Sequence, residues 1–359
     1  MAKFVVTPSS PAQHDAWLRG ALPEVERVRP GLWSVPVPIP VNPLRYVLVY
    51  VLELPDGVAV VDAGWNTDEA YEALVAGLGV AGYAITDVKA VLVTHIHPDH
   101  YGLAGRVREA SGAWIGLHPA DAALIRERYD DEAVDSLVRR EREMLARCGV
   151  PRETVDELAG ASMSIRHLVS AVRPDRLVED GDRLDLPGWD LRALWTPGHS
   201  PGHLCFVSPS RGVLFSGDHV LAKITPIVAV HPQSRPNPLA DYLDSLAAVR
   251  KLEVEEVLPA HEYRFRDLTG RVDYVTAHHE ERLEEVERVV GTVSGGATGG
   301  ITCWEVATRL TWSRAWETFQ AFSRRAATNE TLAHLVWLAE RGRITRVPGE
   351  PDRWHPAAP

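Results

Sequence analysis

The chain has 359 residues, of which 45% are hydrophobic and 24% charged, and its formal net charge is −11 at pH 7. This composition is typical of a folded globular protein and excludes a largely disordered one, and the length exceeds the roughly 250–300 residues at which a single core stops growing. The negative charge disfavours a general attraction to nucleic acid or to an anionic membrane surface.

The first half of the chain alternates short apolar runs with one amphipathic segment. Strands are predicted over residues 32–37, 46–54, 58–61, 91–94 and 113–117, and residues 68–78 have the pattern of a helix. A second set of short strands is predicted over residues 191–195, 204–207, 213–216 and 256–258. The sequence therefore predicts two clusters of strands with helices between them.

Segment 94–100, which reads THIHPDH, directly follows an apolar run and is the most informative part of the chain. Alternate side chains at an extended strand end lie on the same face, so His95 and His97 can converge on one ion. A turn at Pro98 would direct Asp99 and His100 toward a second ion. A lone histidine at a strand end is usually structural, but four metal-type ligands in this spacing predict a metal site.

Three further candidate ligands each follow a short apolar run. They are His199 in the motif TPGHSPGH, Asp218 in the motif SGDH and His261 in the motif LPAHE. Two adjacent ions need roughly seven protein ligands plus water. The four ligands of segment 94–100 and these three supply that number.

This order of motifs resembles the metallo-β-lactamase superfamily of hydrolases, and within it the hydroxyacylglutathione hydrolases and related thioesterases, lactonases and phosphodiesterases. The resemblance covers roughly residues 30–265 and implies an α+β fold, an αββα sandwich whose ligand loops gather along one edge. By motif, it assigns the first metal to His95, His97 and His199, the second to Asp99, His100 and His261, and the bridge between them to Asp218. It also places Asp62, in the motif VVDAG, behind segment 94–100 as an orienting residue, and His203 as a buried residue beside the ligands.

Imidazole and carboxylate ligands without a thiolate suit zinc, and they also suit iron or manganese. Two zinc ions per chain are therefore expected. A hydroxide bridging them is the expected nucleophile, because metal coordination lowers the pKa of water from about 15.7 to about 7. Asp99 is expected in addition to orient this group or to accept a proton, and no serine or cysteine nucleophile is required.

Residues 118–182 are expected to form a helical insertion, with helices over 120–129, 131–147 and 152–158. The insertion can pack as an extra layer, or it can overhang the metal site and shape the substrate pocket. The second interpretation is favoured because the insertion must leave and rejoin the fold near the ligand edge. A proline-rich loop over residues 221–238 is a second candidate wall. The candidate substrate contacts are Tyr101 as a hydrogen-bond donor, and Lys223, His231 and Arg235, which can meet an anionic group or simply be solvated.

From residue 271 onward the pattern changes. A charged helix over 274–290 leads to a glycine-rich segment at 291–300, which is predicted to be a linker or turn because it lacks the spacing of a phosphate loop. Helices are predicted over 302–310, 315–327 and 331–341, with Asn329 as an N-cap near the start of the last, followed by an extended run over 343–347. This pattern resembles a small winged-helix module and predicts two domains, 1–270 and 271–359.

The chain is predicted to be cytoplasmic and to act on a small molecule. Its three cysteines are scattered and odd in number, and the sequence has no apolar stretch of signal-peptide or membrane-spanning length. Residues 271–359 carry eleven arginines and twelve carboxylates, a net charge of −1, which disfavours a nucleic-acid reader. This module is expected to pack over the pocket or to form a subunit contact in a homo-oligomer.

The predicted reaction is the hydrolysis of a small acyl substrate, a thioester or a lactone. The TPGHSPGH motif is closest to thioesterase-type relatives, and the chain shows no basic groove. The alternatives are a phosphodiesterase or ribonuclease, favoured by the winged-helix resemblance, and a non-catalytic metal-binding protein that has kept the fold. A β-lactamase is disfavoured because Asp99 together with a bridging Asp218 is typical of the wider hydrolase group.

Overall fold

The computed structural model describes residues 4–40, 42–161, 163–293 and 299–357. Its strands are β1 (Thr7–Pro8), β2 (Glu26–Arg29), β3 (Leu32–Pro38), β4 (Tyr46–Leu54), β5 (Gly57–Val61), β6 (Val88–Leu92), β7 (Trp114–Leu117), β8 (Arg176–Leu177), β9 (Arg192–Trp195), β10 (Leu204–Ser208), β11 (Val213–Gly217), β12 (Glu256–Pro259), β13 (Phe265–Arg266), β14 (Ile344–Val347) and β15 (Arg353–Pro356). Its α-helices are α1 (Pro11–Arg19), α2 (Asp68–Val80), α3 (Pro98–Tyr101), α4 (Ala104–Ser111), α5 (Pro119–Ala122), α6 (Ile125–Tyr129), α7 (Asp131–Arg147), α8 (Arg152–Gly160), α9 (Pro238–Val249), α10 (Leu268–Val293), α11 (Cys303–Ala307) and α12 (Ala321–Glu340).

Two mixed sheets form the centre of the molecule, with strand orders β2-β3-β4-β5-β6-β7-β8 and β1-β13-β12-β11-β10-β9. Strands β5, β6 and β7 run parallel in the first sheet, and β11 and β12 run parallel in the second. Parallel neighbours end at the same edge of a sheet, where α/β proteins place their ligand loops. The two edges meet, because Leu204 donates a backbone hydrogen bond to the carbonyl of Thr94 at 2.8 Å and Leu48 donates one to Ala260 at 2.7 Å.

Side chains alternate across β4, as the pleat of a strand requires. Leu48 lies in the apolar core between the sheets together with Phe215 of β11. Val49 faces the other way and belongs to a core shared with Leu74 of α2. A third core covers the outer face of the second sheet with helices α7 to α12. Helices therefore cover both outer faces, and the predicted αββα sandwich is confirmed.

The N-terminal elements β1, α1 and β2 were not predicted from the sequence. Ser10 caps α1 by accepting the backbone N–H of Gln13 at 3.1 Å, and Gly20 ends the helix in a left-handed conformation with φ 71°. The chain then enters the first sheet, since β2 pairs antiparallel with β3. These elements are short, so their periodicity gives little signal.

The insertion has the predicted helical character, and α7 has the predicted bounds of 131–147. Its hydrophobic residues are in the predicted places, with Leu145 fully buried and Val134 and Leu137 nearly so. These side chains let the helix pack against α8 and the rest of the fold. The burial follows from the amphipathic pattern of the sequence.

The C-terminal region differs from its prediction around α12. Helices are predicted over 315–327 and 331–341, but the structure has one continuous helix from Ala321 to Glu340, so the prediction of Asn329 as an N-cap is wrong. Asn329 is buried within this helix, where its side-chain amide donates to the carboxylate of Glu141 at 3.0 Å. This tertiary partner engages the side-chain N–H of a residue type that otherwise favours a helix end.

A short hairpin of β14 and β15 follows α12. Leu335 of α12 and Trp354 of the hairpin are buried in the same apolar cluster as Val257 and Phe265 of the second sheet. Residues 271–359 therefore pack directly on the sandwich. Residues 294–298 of the predicted glycine-rich linker lie outside the described residues.

In the described part of the chain, no helix combines the length and the apolar character needed to cross a lipid bilayer.

Candidate metal centre

The fold brings all seven predicted metal ligands to the edge where the two sheets meet. We call His95, His97 and His199 the first donor group, and Asp99, His100 and His261 the second donor group. In each group, one potential ligand atom per residue lies within 4.8 Å of the others, and the same holds for the set of His95, His100 and Asp218. The residues come from the ends of β6, β9, β11 and β12, which are the strands that converge at this edge.

Segment 94–100 changes from strand to helix within a few residues. Strand β6 ends at Leu92, and Pro98 occupies the first turn of the short helix α3, for which His97 is the N-cap residue. His95 therefore lies before the helix, whereas Asp99 and His100 lie inside it. Because the backbone changes direction here, His95 and His97 belong to the first donor group, whereas Asp99 and His100 belong to the second.

The first donor group consists of three closely spaced imidazoles. Nδ1 of His97 lies 2.9 Å from Nε2 of His95 and 3.0 Å from Nε2 of His199. These three ring nitrogens therefore point toward one common position, which a single metal ion could occupy. Neutral imidazole nitrogens in this arrangement are a ligand set typical of zinc and other divalent metals.

Asp218 lies between the two donor groups. Its Oδ2 is 3.5 Å from Nε2 of His199, while its Oδ1 is 3.3 Å from Nε2 of His261 and 3.6 Å from Nε2 of His100. Asp99 completes the second donor group, with Oδ2 at 3.2 Å from Nε2 of His261. The two oxygens of one carboxylate thus face different sets of imidazoles.

The imidazoles are held by hydrogen bonds on the side away from the centre. Nδ1 of His199 contacts the carbonyl of Ile227 at 2.8 Å, and Nδ1 of His261 contacts the carbonyl of Tyr46 at 2.8 Å. A carbonyl only accepts, so each Nδ1 carries a proton, and each Nε2 is the ring nitrogen that faces the centre. Such outer partners fix the tautomer and ring orientation of metal-ligating histidines.

Several buried atoms at the centre have no hydrogen-bond partner among the described residues. They are Nε2 of His100, Nε2 of His261 and Oδ1 of Asp218. Leaving a buried polar atom unpaired costs about 1–3 kcal/mol, so such atoms in a native fold call for an explanation. A cation bound by these atoms would satisfy all three, and the donor set fits a metal.

Burial and local charge give the two donor groups different protonation states. Burial, reinforced by neighbouring imidazoles, lowers the pKa of His95 and of His97 well below the ordinary value. Burial acts in the same direction on His100, but the carboxylates of Asp99, Asp62 and Asp218 outweigh it and raise its pKa to about 10. For Asp99, burial opposes the shift, yet the charges of His100 and His261 lower its pKa.

Asp62 is placed behind segment 94–100. Its Oδ2 lies 2.8 Å from Nδ1 of His100, and its Oδ1 accepts the backbone N–H of Thr94 at 2.8 Å. The residue is buried and has a left-handed backbone with φ 63°, a conformation that aspartate tolerates better than most residues. Asp62 contacts the ligand loop without facing the centre.

His203 supports Asp218 through the backbone. Its Nε2 accepts the N–H of Asp218 at 3.2 Å, and its Nδ1 lies 2.8 Å from the hydroxyl of Thr196. The intervening Gly217 has φ 50°, and a Cβ there would lie 2.7 Å from Nε2 of His203. Only glycine allows this close approach.

Two buried acids that the sequence analysis did not single out organise the loops. Asp121 of α5 accepts the N–H of Ile96 at 2.9 Å, the hydroxyl of Ser200 at 2.8 Å and the N–H of Gly202 at 2.7 Å, so it joins the loops that carry His95 and His199. Glu262 accepts the N–H of Lys223 at 2.6 Å and thereby fixes the loop after Asp218. Glu262 directly follows a predicted ligand, a signal that could have identified it, whereas no pattern identifies Asp121.

The predicted substrate contacts are placed differently from one another. Tyr101 is buried and its hydroxyl contacts the backbone of Val172, an arrangement that does not support its predicted role as a donor to the substrate. Lys223 is exposed. Arg235 is paired with Asp241 at 2.7 Å. Burial, with the charge of Arg128 next, lowers the pKa of His231 to about 3, so His231 is neutral at pH 7 and does not bring the positive charge expected of it.

Comparison with known proteins agrees with this geometry. Residues 42–261 match the model of the metallo-beta-lactamase superfamily. The chain is 29% identical over 266 residues to the probable metallo-hydrolase YqjP of Bacillus subtilis, which covers 71% of this chain and 78% of that protein. It is 28% identical over 192 residues to the lactamase-like protein adaB of Aspergillus niger, covering 51% of this chain and 56%, little more than half, of that relative.

Solved structures show the same architecture over nearly the whole chain. A metallo-beta-lactamase family protein of Thermus thermophilus, TTHA1429, is 34% identical, with a TM-score of 0.76, and the match covers 92% of this chain and 100% of that one. A beta-lactamase domain protein of Burkholderia ambifaria is 26% identical, also with a TM-score of 0.76, covering 93% of this chain and 94% of that one. The family match spans most of the sandwich and every candidate ligand. The chain therefore belongs to the metallo-β-lactamase superfamily.

Proposed function

We propose that this protein hydrolyses a small acyl substrate, a thioester or a lactone, with two zinc ions held by the first and second donor groups and bridged by Asp218. The observation that carries the proposal is the position of the Asp218 carboxylate, whose oxygens lie 3.5 Å from His199 Nε2 and 3.3 Å from His261 Nε2. A single carboxylate facing two sets of imidazoles is the arrangement that a two-metal site needs. Iron or manganese would suit the same ligands.

The chemistry that such ions supply when bound is activation of water near neutral pH and polarisation of a carbonyl oxygen. The residues of the chain orient the ligands and provide a group that can accept a proton. The outer hydrogen bonds of His199, His261 and His100 engage their Nδ1 atoms, so their Nε2 atoms face the centre and are available to bind metal. Asp99 is ionised at neutral pH, and its carboxylate can accept the hydrogen of a water molecule and orient it toward the substrate.

The charge of the molecule favours an acyl substrate over a nucleic acid. The net charge is −11, and residues 271–359, which pack on the sandwich, carry a net charge of −1. A nucleic-acid enzyme ordinarily presents a basic face that follows the phosphate backbone. A small acyl compound makes no such demand.

Metal analysis combined with a substrate panel tests the proposal. Purified protein is assayed with thioesters, lactones, phosphodiesters, RNA and β-lactams, before and after removal of metal with a chelator and re-addition of zinc. We expect turnover of an acyl substrate that is lost with the metal and restored with zinc, at about two ions per chain. His355→Ala, on the C-terminal hairpin, serves as the histidine control and should keep both metal and activity. Turnover of phosphodiesters or RNA with no acyl activity would overturn the proposal.

A further inference from the structure

Three separate segments meet beside the first donor group. The hydroxyl of Tyr129, at the end of α6, donates to the carbonyl of Ile96 at 2.6 Å. Ile227, in the loop after Asp218, accepts from His199 at 2.8 Å. Three residues further along this loop, the N–H of Val230 donates to the carbonyl of Asn329 in α12 at 3.1 Å. The insertion, the loop and the C-terminal helix therefore form one rim around the first donor group.

Two arginines from different parts of this rim bring their charges close together. Arg128 immediately precedes Tyr129 in α6, and Arg325 lies one helical turn before Asn329 in α12. Because the hydroxyl of Tyr129 bonds to Ile96, the residue before His97, Arg128 lies beside the first donor group, and its positive charge acts on His97. The charges of both arginines act on His231, and Arg128 also lowers the pKa of Arg325, for which burial is the main cause. The carboxylate of Glu141 interacts with both arginines and offsets part of their repulsion, and an anionic ligand beside Arg128 would offset more of it.

The carboxylates around Arg128 are already engaged. Asp121 accepts the three hydrogen bonds that join the ligand loops. Glu141 accepts from Asn329 at 3.0 Å and interacts electrostatically with Arg325 and, more weakly, with Arg128. Glu127 pairs with Arg140 and accepts from the amide of Gln233 at 2.8 Å. Within the described ranges, the guanidinium of Arg128 makes no hydrogen bond or ion pair of its own, although it is partly buried.

The rim also presents apolar surface next to these charges. The side chain of Ile227 is 40% exposed and that of Phe322 is 47% exposed, which is unusual for large apolar residues. The guanidinium of Arg325 lies over the ring of Phe322, 5.5 Å from its centroid. An apolar chain and an anionic group could therefore be bound side by side.

We propose that Arg128, supported by Arg325, binds an anionic group of the substrate, a carboxylate or a phosphate, so that the preferred acyl substrate is an anion. This inference rests on the proposed acyl hydrolysis and adds the charge class of its substrate. A guanidinium binds either group through paired N–H donors, which gives orientation as well as affinity. Lys223, His231 and Arg235 are not needed for this role.

Three matched thioesters test the inference and locate the charge. The first is an acyl N-acetylcysteamine thioester that ends in a methyl group, the second is the same compound ending in a carboxylate, and the third is the coenzyme A thioester of the neutral acyl group. For Arg128→Gln we expect the KM of the charged substrate to rise about tenfold or more, with the neutral thioester changed less than twofold. Arg128→Lys should restore part of the loss. An effect on the second compound assigns a carboxylate on the acyl side, and an effect on the third assigns a phosphate on the leaving thiol.

Arg126→Gln is the matched control, because Arg126 lies on the same helix and is paired with Asp130 at the surface. It should leave all three substrates unaffected. Arg325→Gln should give a smaller increase in KM than Arg128→Gln, with the same preference for charged substrates. An equal change for neutral and charged thioesters, or no change at all, would overturn the inference.

A binding measurement separates this inference from the proposed function. Thioether analogues, in which the scissile carbonyl is replaced by a methylene group, cannot be hydrolysed and can be titrated calorimetrically with and without the terminal carboxylate. Weaker binding of only the charged analogue to Arg128→Gln supports the inference even if no thioester is turned over, in which case only the proposed reaction fails. Equal affinity of the wild type and Arg128→Gln for a charged analogue and for the phosphate-bearing coenzyme A thioether overturns it, whatever the protein hydrolyses.

Discussion

The two donor groups lie side by side, yet their surroundings give them opposite electrostatic character. In the first donor group, burial and neighbouring imidazoles lower the pKa values of His95 and His97, so these two residues are neutral at pH 7. In the second donor group, carboxylates outweigh burial and raise the pKa of His100 to about 10 and that of His261 above its ordinary value. The difference arises because the carboxylates of Asp99, Asp62 and Asp218 act on His100, whereas the main charges that act on His95, after burial, are those of other imidazoles.

This difference shows that histidines can be in two different protonation states before a metal binds. Neutral imidazoles present lone pairs and can bind a metal without releasing a proton. A protonated imidazole beside carboxylates must release its proton before its nitrogen can bind a metal. The first donor group is therefore ready to bind metal, whereas the second exchanges protons for metal.

Removing the residue shared by both groups should have the largest effect. Asp218→Ala is expected to lose both ions. Removing a residue that only supports a ligand typically reduces activity by about 10–100-fold, and removing the ligand itself should reduce hydrolysis by more than that. Elemental analysis and activity measured on the same sample check this outcome. Asp244→Ala, an exposed residue on α9, is the control. Full metal content in Asp218→Ala would contradict the bridging position.

Removing one ligand from each group should distinguish the two. His261→Ala is expected to lose the second ion and keep the first, because His261 lies 3.3 Å from Asp218 Oδ1 but belongs only to the second group. His97→Ala is expected to affect the first ion more strongly. Titration of metal-free protein with zinc, monitored by calorimetry, counts the remaining sites. Circular dichroism is used to check that both variants fold. Identical metal loss in both variants would contradict the division of the ligands into two donor groups.

The pH dependence of metal binding should differ between the groups. Below a pKa of about 10, His100 carries a proton that a metal must displace, so the affinity of the second site should fall about tenfold per pH unit per displaced proton as pH decreases from 9 to 7. The pKa values of His95 and His97 lie well below 6.5, so over this range the first site should gain or lose little affinity. Competition titrations against a chelator at several pH values measure both affinities. Parallel curves for the two sites would contradict the assigned protonation states.

The smallest expected effect comes from the outer partner of the second group. Asp62→Asn replaces the acceptor that faces Nδ1 of His100 at 2.8 Å, and we expect the second metal to bind about 10–100-fold more weakly. The first metal should be affected less, because Asp62 reaches His95 only through Thr94. Asp68→Asn, at the exposed start of α2, is the control, and zinc affinities are measured as above. An equal loss at both sites would show that Asp62 supports the whole segment rather than His100.

The sequence was informative wherever a pattern is local. Strand β4 has the predicted bounds because its alternating apolar residues are read within nine positions. The prediction failed at Asn329, where the sequence indicates a helix end but contacts with Glu141 and Val230 hold the residue inside α12. Tertiary contacts to the side-chain N–H and to the backbone carbonyl of Asn329 override its local preference for a helix end.

The identity of the candidate ligands was determined by the sequence alone, because only a few side chains bind metal and they follow recognisable strand ends. What only the tertiary structure decided is how those side chains are held. The carbonyls of Ile227 and Tyr46 orient His199 and His261, and every residue has a carbonyl, so no pattern in the sequence reveals them. The approach of Arg128 and Arg325 likewise depends on where the fold places α6 and α12, which lie far apart in the chain. Ligands that are defined by their side-chain type can be predicted from the sequence. Contacts that depend on backbone position and long-range packing can be identified only from the fold.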